Sequence, residues 1–198
     1  MLLTCLCLFA AAPDVLPSTA RVSVSRGEGG AFGSAVCVGW KDGWAYLLTC
    51  RHVVEGGTGY EAELAGHPAM PAVLVRTSPD CDLALLKIPA KVCPTLARIA
   101  LVEPAVGETC YQCGYGHCLL RQRSGPPLGK LSEGNWHVGF GVVSGDSGSG
   151  VFDESGRLCG IVWGSKDGET RCVPAAKIWA FVRAADCGPL PRLGGKGK

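Results

Sequence analysis

The sequence predicts an all-β fold, a barrel or sandwich of short strands with one helix near its end. Three observations predict it. The 198 residues hold 29 glycines and 13 prolines; glycine is at about twice the ordinary usage of about 7%, so the chain turns often. Short apolar or alternating stretches recur between those turns. Helical spacing occurs once, after residue 174. A helical bundle, a coiled coil and a disordered chain are thereby excluded. The length suits one domain, or two tightly fused halves, with a proper core.

The elements follow in order. Residues 21–24 alternate as a first strand. Residues 32–39 and 44–50 are apolar stretches on either side of Trp40-Lys41-Asp42-Gly43, a hairpin signature. Further strands are expected at 72–76, 83–88, 108–113, 136–143, 150–153, 158–163 and 170–173. Gly56-Gly57, Pro79-Asp80, Gly125-Pro126-Pro127 and Glu154-Ser155-Gly156 mark turns between them. Pro174 opens the helix, and Ile178, Phe181, Val182 and Ala185 give it one buried face. Residues 193–198 are rich in Gly and Lys and are expected to be disordered.

Charge and hydropathy narrow the partners. A net charge of +2 with 18% charged residues gives no reason to expect a nucleic-acid partner. Residues 2–12 are mostly apolar and end at Pro13. That run is too short to span a membrane and right for a signal-peptide core, although the basic segment that usually precedes one is missing. Residues 1–20 are read as a signal peptide, with cleavage after Ala12 or Ala20. The reading implies a secreted or periplasmic protein with no stable membrane insertion once the signal is removed.

Cysteine usage points the same way. Of twelve cysteines, removal of Cys5 and Cys7 leaves ten. An even number in a small exported domain reads as disulfides, and Cys159 and Cys172 flank a turn that a bridge would suit. The rival is a metal at Cys110, Cys113, His117 and Cys118. Zinc sites of this kind use two such knuckles, and only one is present. Strand alternation also sends Cys110 and Cys113 to opposite faces. No metal and no cofactor are expected.

The chemistry gathers in three segments, each beside an apolar strand: Thr49-Cys50-Arg51-His52, Asp80-Cys81-Asp82-Leu83-Ala84-Leu85, and Gly145-Asp146-Ser147-Gly148-Ser149-Gly150. A serine hydroxyl is a poor nucleophile until a base takes its proton, and that base needs an orienting carboxylate. His52, Asp82 and Ser147 supply the three roles. The N–H groups of Gly145 and Ser147 are placed to form an oxyanion hole. Each piece alone has a bland reading, as a core histidine, a turn-capping aspartate or a loop. Chain order discriminates further. All four histidines, His52, His67, His117 and His137, precede Ser147, which excludes the Ser-acid-His order of an α/β-hydrolase. The Asp-His-Ser order of subtilisin would need Asp14, at the signal boundary, or Asp42, in a hairpin turn.

With those motifs together, the chain resembles the trypsin-like serine proteases of the chymotrypsin fold, over about residues 21–184. Thr49-Cys50-Arg51-His52 resembles their Thr-Ala-x-His element, Asp82-Leu83-Ala84-Leu85 their Asp-hydrophobic-Ala-Leu element, and Gly145-Asp146-Ser147-Gly148 their nucleophile motif. Gly33-Ser34-Ala35-Val36 is similar to the early strand of compact bacterial HtrA-type domains that lack a PDZ segment. The resemblance implies two antiparallel six-stranded β-barrels with the site between them: residues 21–98, carrying His52 and Asp82, and residues 99–184, carrying Ser147 and the short helix, with a tail at 185–198. It implies polypeptide substrates, cleaved as by a serine endopeptidase. Val162, Trp163 and Gly164 resemble the strand that pairs with the substrate backbone.

The sequence also departs from the family pattern. Ser149 stands where the family has a second glycine, Val53 follows His52 where animal enzymes have cysteine, and no Ile-Val-Gly-Gly activation sequence is present. Gly141 falls at the base of the specificity pocket, six residues before Ser147, which argues against an acid selecting Lys or Arg. Arg171 lies near a pocket wall that would favour an acidic side chain, or is a solvated hairpin arginine. Two rivals to the peptidase remain: a silent peptide-binding module that kept the barrels, and a domain stapled by metal at Cys110 to Cys118.

Overall fold

A computed structural model describes residues 12–130 and 134–188. The apolar core of the expected signal peptide and the Gly/Lys-rich end lie outside the described residues, apart from Ala12.

The first half is a closed barrel. Its strands are β1 (Thr19–Arg26), β2 (Gly29–Lys41), β3 (Trp44–Thr49), β4 (Gly59–Leu64), β5 (Met70–Thr77) and β6 (Ala84–Pro89), paired in the order β1-β2-β3-β6-β5-β4. The β2–β3 hairpin turns at Asp42 and Gly43, with φ of 50° and 78°. Two consecutive positive φ values are what a two-residue turn needs to match strand twist, and Asp-Gly supplies them. Val22, Ala35, Leu47, Leu86 and Ile88 share one face of these strands and fill the interior, while Val36, Leu48 and Leu85, on the opposite face, are buried as well. A helix of one turn, α1 (Arg51–Val54), follows β3 directly.

The second half is an eight-stranded sheet. It comprises β7 (Arg98–Ile99), β8 (Cys110–Gly114), β9 (Arg121–Gly125), β10 (Pro127–Lys130), β11 (Trp136–Val138), β12 (Gly150–Phe152), β13 (Arg157–Lys166) and β14 (Glu169–Pro174). The path runs β10-β11-β14-β13-β12-β8-β9, and β7 pairs with β13 in parallel. Its two ends, β9 and β10, are consecutive in the chain. The sheet therefore curls back on itself through a corner at Pro126, which has no N–H to continue a ladder. With β9 and β10 taken as one bent strand, the path has the six positions of the second barrel that the sequence implied.

Three local expectations change. The strand expected at 136–143 ends at Val138, because Gly139 N–H donates to Pro126 O at 2.9 Å and the chain leaves the sheet there. Strands β4, β7, β9 and β10 had no counterpart in the sequence reading. The helix α2 (Ala175–Arg183) starts after Pro174, which is its extended N-cap. Ile178, Phe181 and Val182 are buried, while Ala185 lies beyond the helix end. These α2 side chains pack into the same core as the first barrel, and Arg76 of β5 stacks on Phe181 at 5.0 Å. The C-terminal helix thus straps the second half to the first. Among the described residues, no helix is long and apolar enough to cross a membrane.

The disulfide expectation is overturned: all ten described cysteines are free. Cys37, Cys50, Cys110, Cys113, Cys159, Cys172 and Cys187 are buried and pack as small apolar groups. Burial pushes the thiols of Cys37 and Cys110 up to about 12. Cys110 and Cys113 face different cores across β8, while Cys118 is exposed beyond it. Among the described residues, Cys110, Cys113, His117 and Cys118 form no metal-ligating group. Thiol labelling tests this arrangement. In denaturant without reductant, all ten should alkylate; in the native protein, exposed Cys93 and Cys118 should react first, with the seven buried thiols protected. Mass spectrometry showing a bridged pair would refute it.

Candidate functional site

The site lies where β3, the 78–83 turn and the 144–149 loop meet. β3 ends on Thr49, whose hydroxyl donates to Ser34 O at 2.7 Å, and α1 then presents His52 with its side chain 45% exposed. Arg26 grips the back of this turn, donating to the carbonyls of His52 and Val53 at 2.9 Å each. Asp82 is set by its own turn, in which Ser78 N–H donates to Leu83 O at 2.9 Å.

His52 and Asp82 are joined twice. The His52 backbone N–H donates to Asp82 Oδ1 at 2.9 Å, and ring Nδ1 lies 2.5 Å from Oδ2. An ionised carboxylate only accepts, so Nδ1 carries the proton and Nε2 is left as an acceptor. Burial raises the Asp82 carboxyl, but the hydrogen bonds and charge of His52, with Arg51 nearby, outweigh it and hold the carboxyl below its ordinary 3.8. Folding therefore favours the ionised form. The stabilisation is present above the unfolded-chain value and is lost as pH falls through the lower folded one.

The 144–149 loop is fixed from beneath. Asp146 is fully buried. Its Oδ2 accepts from Arg123 at 2.8 Å and from Val143 N–H at 2.9 Å, and its Oδ1 from Gln112 at 3.2 Å. Gln112 also donates to Ser149 Oγ at 2.9 Å. That contact gives Ser149, a departure from the family pattern, a structural role. From the first barrel, Ser34 N–H donates to Ser147 O and Ser34 Oγ to Gly145 O, both at 2.8 Å. Gly148 has a φ of +87°, and a Cβ there would meet Ser34 O at 2.0 Å, so only glycine fits. Among the described residues, the N–H groups of Gly145 and Ser147 donate to no protein acceptor.

Gly33 is where the two halves touch. A Cβ on it would lie 2.9 Å from the Val53 methyls and 3.0 Å from Ser147 O. The missing side chain thus lets the His52 turn and the Ser147 loop share one cleft. No hydrogen bond links Ser147 Oγ to His52 in this structure.

The remaining expected residues lie on β13, on β14 and in the loop after β11. Val162 is buried with its backbone engaged: its N–H donates to Ser149 O at 2.9 Å and its carbonyl accepts from Gly148 N–H at 2.7 Å. The β13–β14 register shifts between Val162 and Gly164, so Trp163 sits in a bulge; bulges re-aim side chains beside functional clefts. Trp163 Nε1 is buried without a partner. The Arg171 guanidinium lies 5.9 Å from the Trp163 ring centre. Gly141 is exposed in the loop after β11. Cys50 and Cys81 are not paired: Cys50 Sγ lies 3.0 Å from Val162 O and Cys81 Sγ 3.2 Å from Ser78 Oγ. Sequence reasoning missed Arg123 and Gln112. They alternate onto the inner side of β9 and β8, but nothing local ties them to a loop more than twenty residues away.

Comparison with known proteins places the chain. The family model of the trypsin-like peptidase domain matches residues 33–161. No curated protein is matched by the sequence. Among solved structures, the fold matches the serine endoprotease from Yersinia pestis with a TM-score of 0.77 at 22% identity, over 86% of this chain and 63% of that one. The chain thus spans less than two thirds of that structure, and the likeness is one of fold.

The Arg123–Asp146 pair can be tested directly. Arg123→Ala leaves the buried carboxylate without its counter-charge, which should lower unfolding stability by about 3–5 kcal/mol in a denaturant titration. A loss below about 1 kcal/mol, the level of a surface ion pair, would show that the loop does not depend on the pair.

Proposed function

The chain belongs to the trypsin-like peptidase family, and on that premise we propose that it is a serine endopeptidase cleaving polypeptides through Ser147, His52 and Asp82. One observation carries the reading. His52 is pinned to Asp82 by two hydrogen bonds and faces a loop whose Gly145 and Ser147 N–H groups are free.

Ser147 Oγ attacks the peptide carbonyl while His52 Nε2 takes its proton. Asp82 holds the ring in the tautomer that leaves Nε2 able to accept and stabilises the imidazolium that forms. The N–H groups of Gly145 and Ser147 receive the developing oxyanion, each such donor contributing about 3–4 kcal/mol to the barrier. His52 then protonates the leaving amine, and water resolves the acyl-enzyme by the reverse path. The Ser147–His52 bond forms as substrate closes the cleft, since such bonds tighten in the loaded complex. With the Val162 backbone engaged inside the protein, pairing with the substrate strand falls to Trp163 and Gly164. Gly141 at the pocket base sets no charge preference, and Arg171 beside Trp163 favours acidic residues.

The halves divide near residue 98, supported by the end of the first barrel at Pro89 and the pairing of β7 with β13. Export rests on the apolar run before Pro13, since the cysteines no longer support it. Val15 is buried in the core, and Thr19 and Ala20 pair within β1. This favours cleavage after Ala12, because cleavage after Ala20 would strip the barrel. A silent peptide-binding module is the second reading, favoured by the missing Ser147–His52 hydrogen bond.

A fluorophosphonate probe separates the two. The oxyanion-stabilised, base-activated serine should be labelled on Ser147 alone, and Ser147→Ala should abolish labelling. Asp82→Asn should lower kcat by about 10⁴-fold, because the wrong tautomer then faces the serine. Binding of uncleaved peptide by a folded protein that does not label would establish the silent module instead.

A further inference from the structure

One donor beside the His52–Asp82 pair has no part in peptide cleavage. Cys50 Sγ, a His52 ring nitrogen and an Asp82 carboxylate oxygen all lie within 4.8 Å of one another. Thiolate, imidazole and carboxylate are the donors zinc takes, and three such protein ligands leave a fourth position to water. Cys50 is buried and its Sγ is held 3.0 Å from Val162 O, while the half-exposed His52 ring leaves a way in from the cleft. The donors sit on two separately fixed pieces, the β3–α1 junction and the 78–83 turn, so folding alone brings them together. The sequence showed a different cysteine cluster, at Cys110 to Cys118, which the fold disperses.

We propose that Cys50, His52 and Asp82 form an inhibitory site for a thiophilic divalent cation of the zinc type. This rests on the peptidase reading for its consequence but not for its chemistry. On binding, the Cys50 S–H bond breaks and a bond from sulfur to the cation forms, the thiol proton leaving to solvent. The imidazole stays neutral: Nδ1 turns its lone pair to the cation and its proton is carried on Nε2 instead. One proton is released per cation, and the thiolate and carboxylate together balance its two charges. The Nδ1 to Oδ2 separation of 2.5 Å opens to about 3 Å so that both ligate at about 2.0–2.2 Å. With Nε2 protonated, His52 cannot accept the Ser147 proton.

Cobalt(II) tests the site independently of turnover, through the near-ultraviolet charge-transfer band that a thiolate ligand gives it. The wild type and a Cys93→Ser/Cys118→Ser variant should both show the band at one equivalent, bleached by zinc. Cys50→Ala should lose it, as should Cys50→Ser, which keeps the side chain's size. In both Cys50 variants, the zinc concentration that blocks fluorophosphonate labelling of Ser147 should rise at least about tenfold. The proposal is overturned if the wild type gives no band, if Cys50→Ala and Cys50→Ser keep it, or if it vanishes with the exposed thiols of Cys93 and Cys118. If the band follows Cys50 but Ser147 never labels, the cation site stands and the peptidase reading fails.

Discussion

Ser34 is the residue on which the two halves close. Its N–H and hydroxyl donate to Ser147 O and Gly145 O across the interface. Its hydroxyl also accepts from Tyr115 N–H, and its carbonyl accepts from Thr49. Every backbone and hydroxyl group of one small buried residue is thus committed, and three of its four partners lie in the second half. A hydrogen bond to a buried partner is modest in net terms, but leaving that partner unsatisfied is expensive. Any relative shift of the halves would break several such bonds at once. The relation of the His52 turn to the Ser147 loop is therefore a packing constraint rather than a flexible juxtaposition.

Much of this could be read from the chain before any fold was known. The three chemical segments each adjoin an apolar strand, and their order excluded one other hydrolase arrangement and left a second with only poorly placed aspartates. The Asp42-Gly43 hairpin was legible because its φ values are a local demand that few residue pairs meet. What escaped was non-local. β9 is polar and half-exposed, so it carries no hydrophobic signature and is a strand only because β8 pairs with it. Residues 139–143 look like strand by composition, yet leave the sheet because Gly139 is captured by Pro126. Arg123 and Gln112 became meaningful only once Asp146 was seen to be buried above them.

The cysteines show where a compositional argument fails. Even number and small domain size pointed to bridges, but the same residues also suit the tight interior positions of two small cores. Gly39 illustrates the tightness: a Cβ on it would meet Cys187 Sγ at 2.9 Å. Thiols here behave as small hydrophobes that fill such gaps. Thiols such as Cys37 and Cys110, buried in that way, are kept from oxidants, and burial raises their pKa values, which lowers reactivity further.

The counter-charge for Asp146 comes from β9, inside the fold. A positive charge delivered late, by some rearrangement of the finished molecule, is not required to shape the loop around Ser147. The loop around Ser147 takes its shape in the same step in which the molecule folds. The shape of that loop is then tied to the stability of the fold, and conditions that loosen β9 loosen the loop with it.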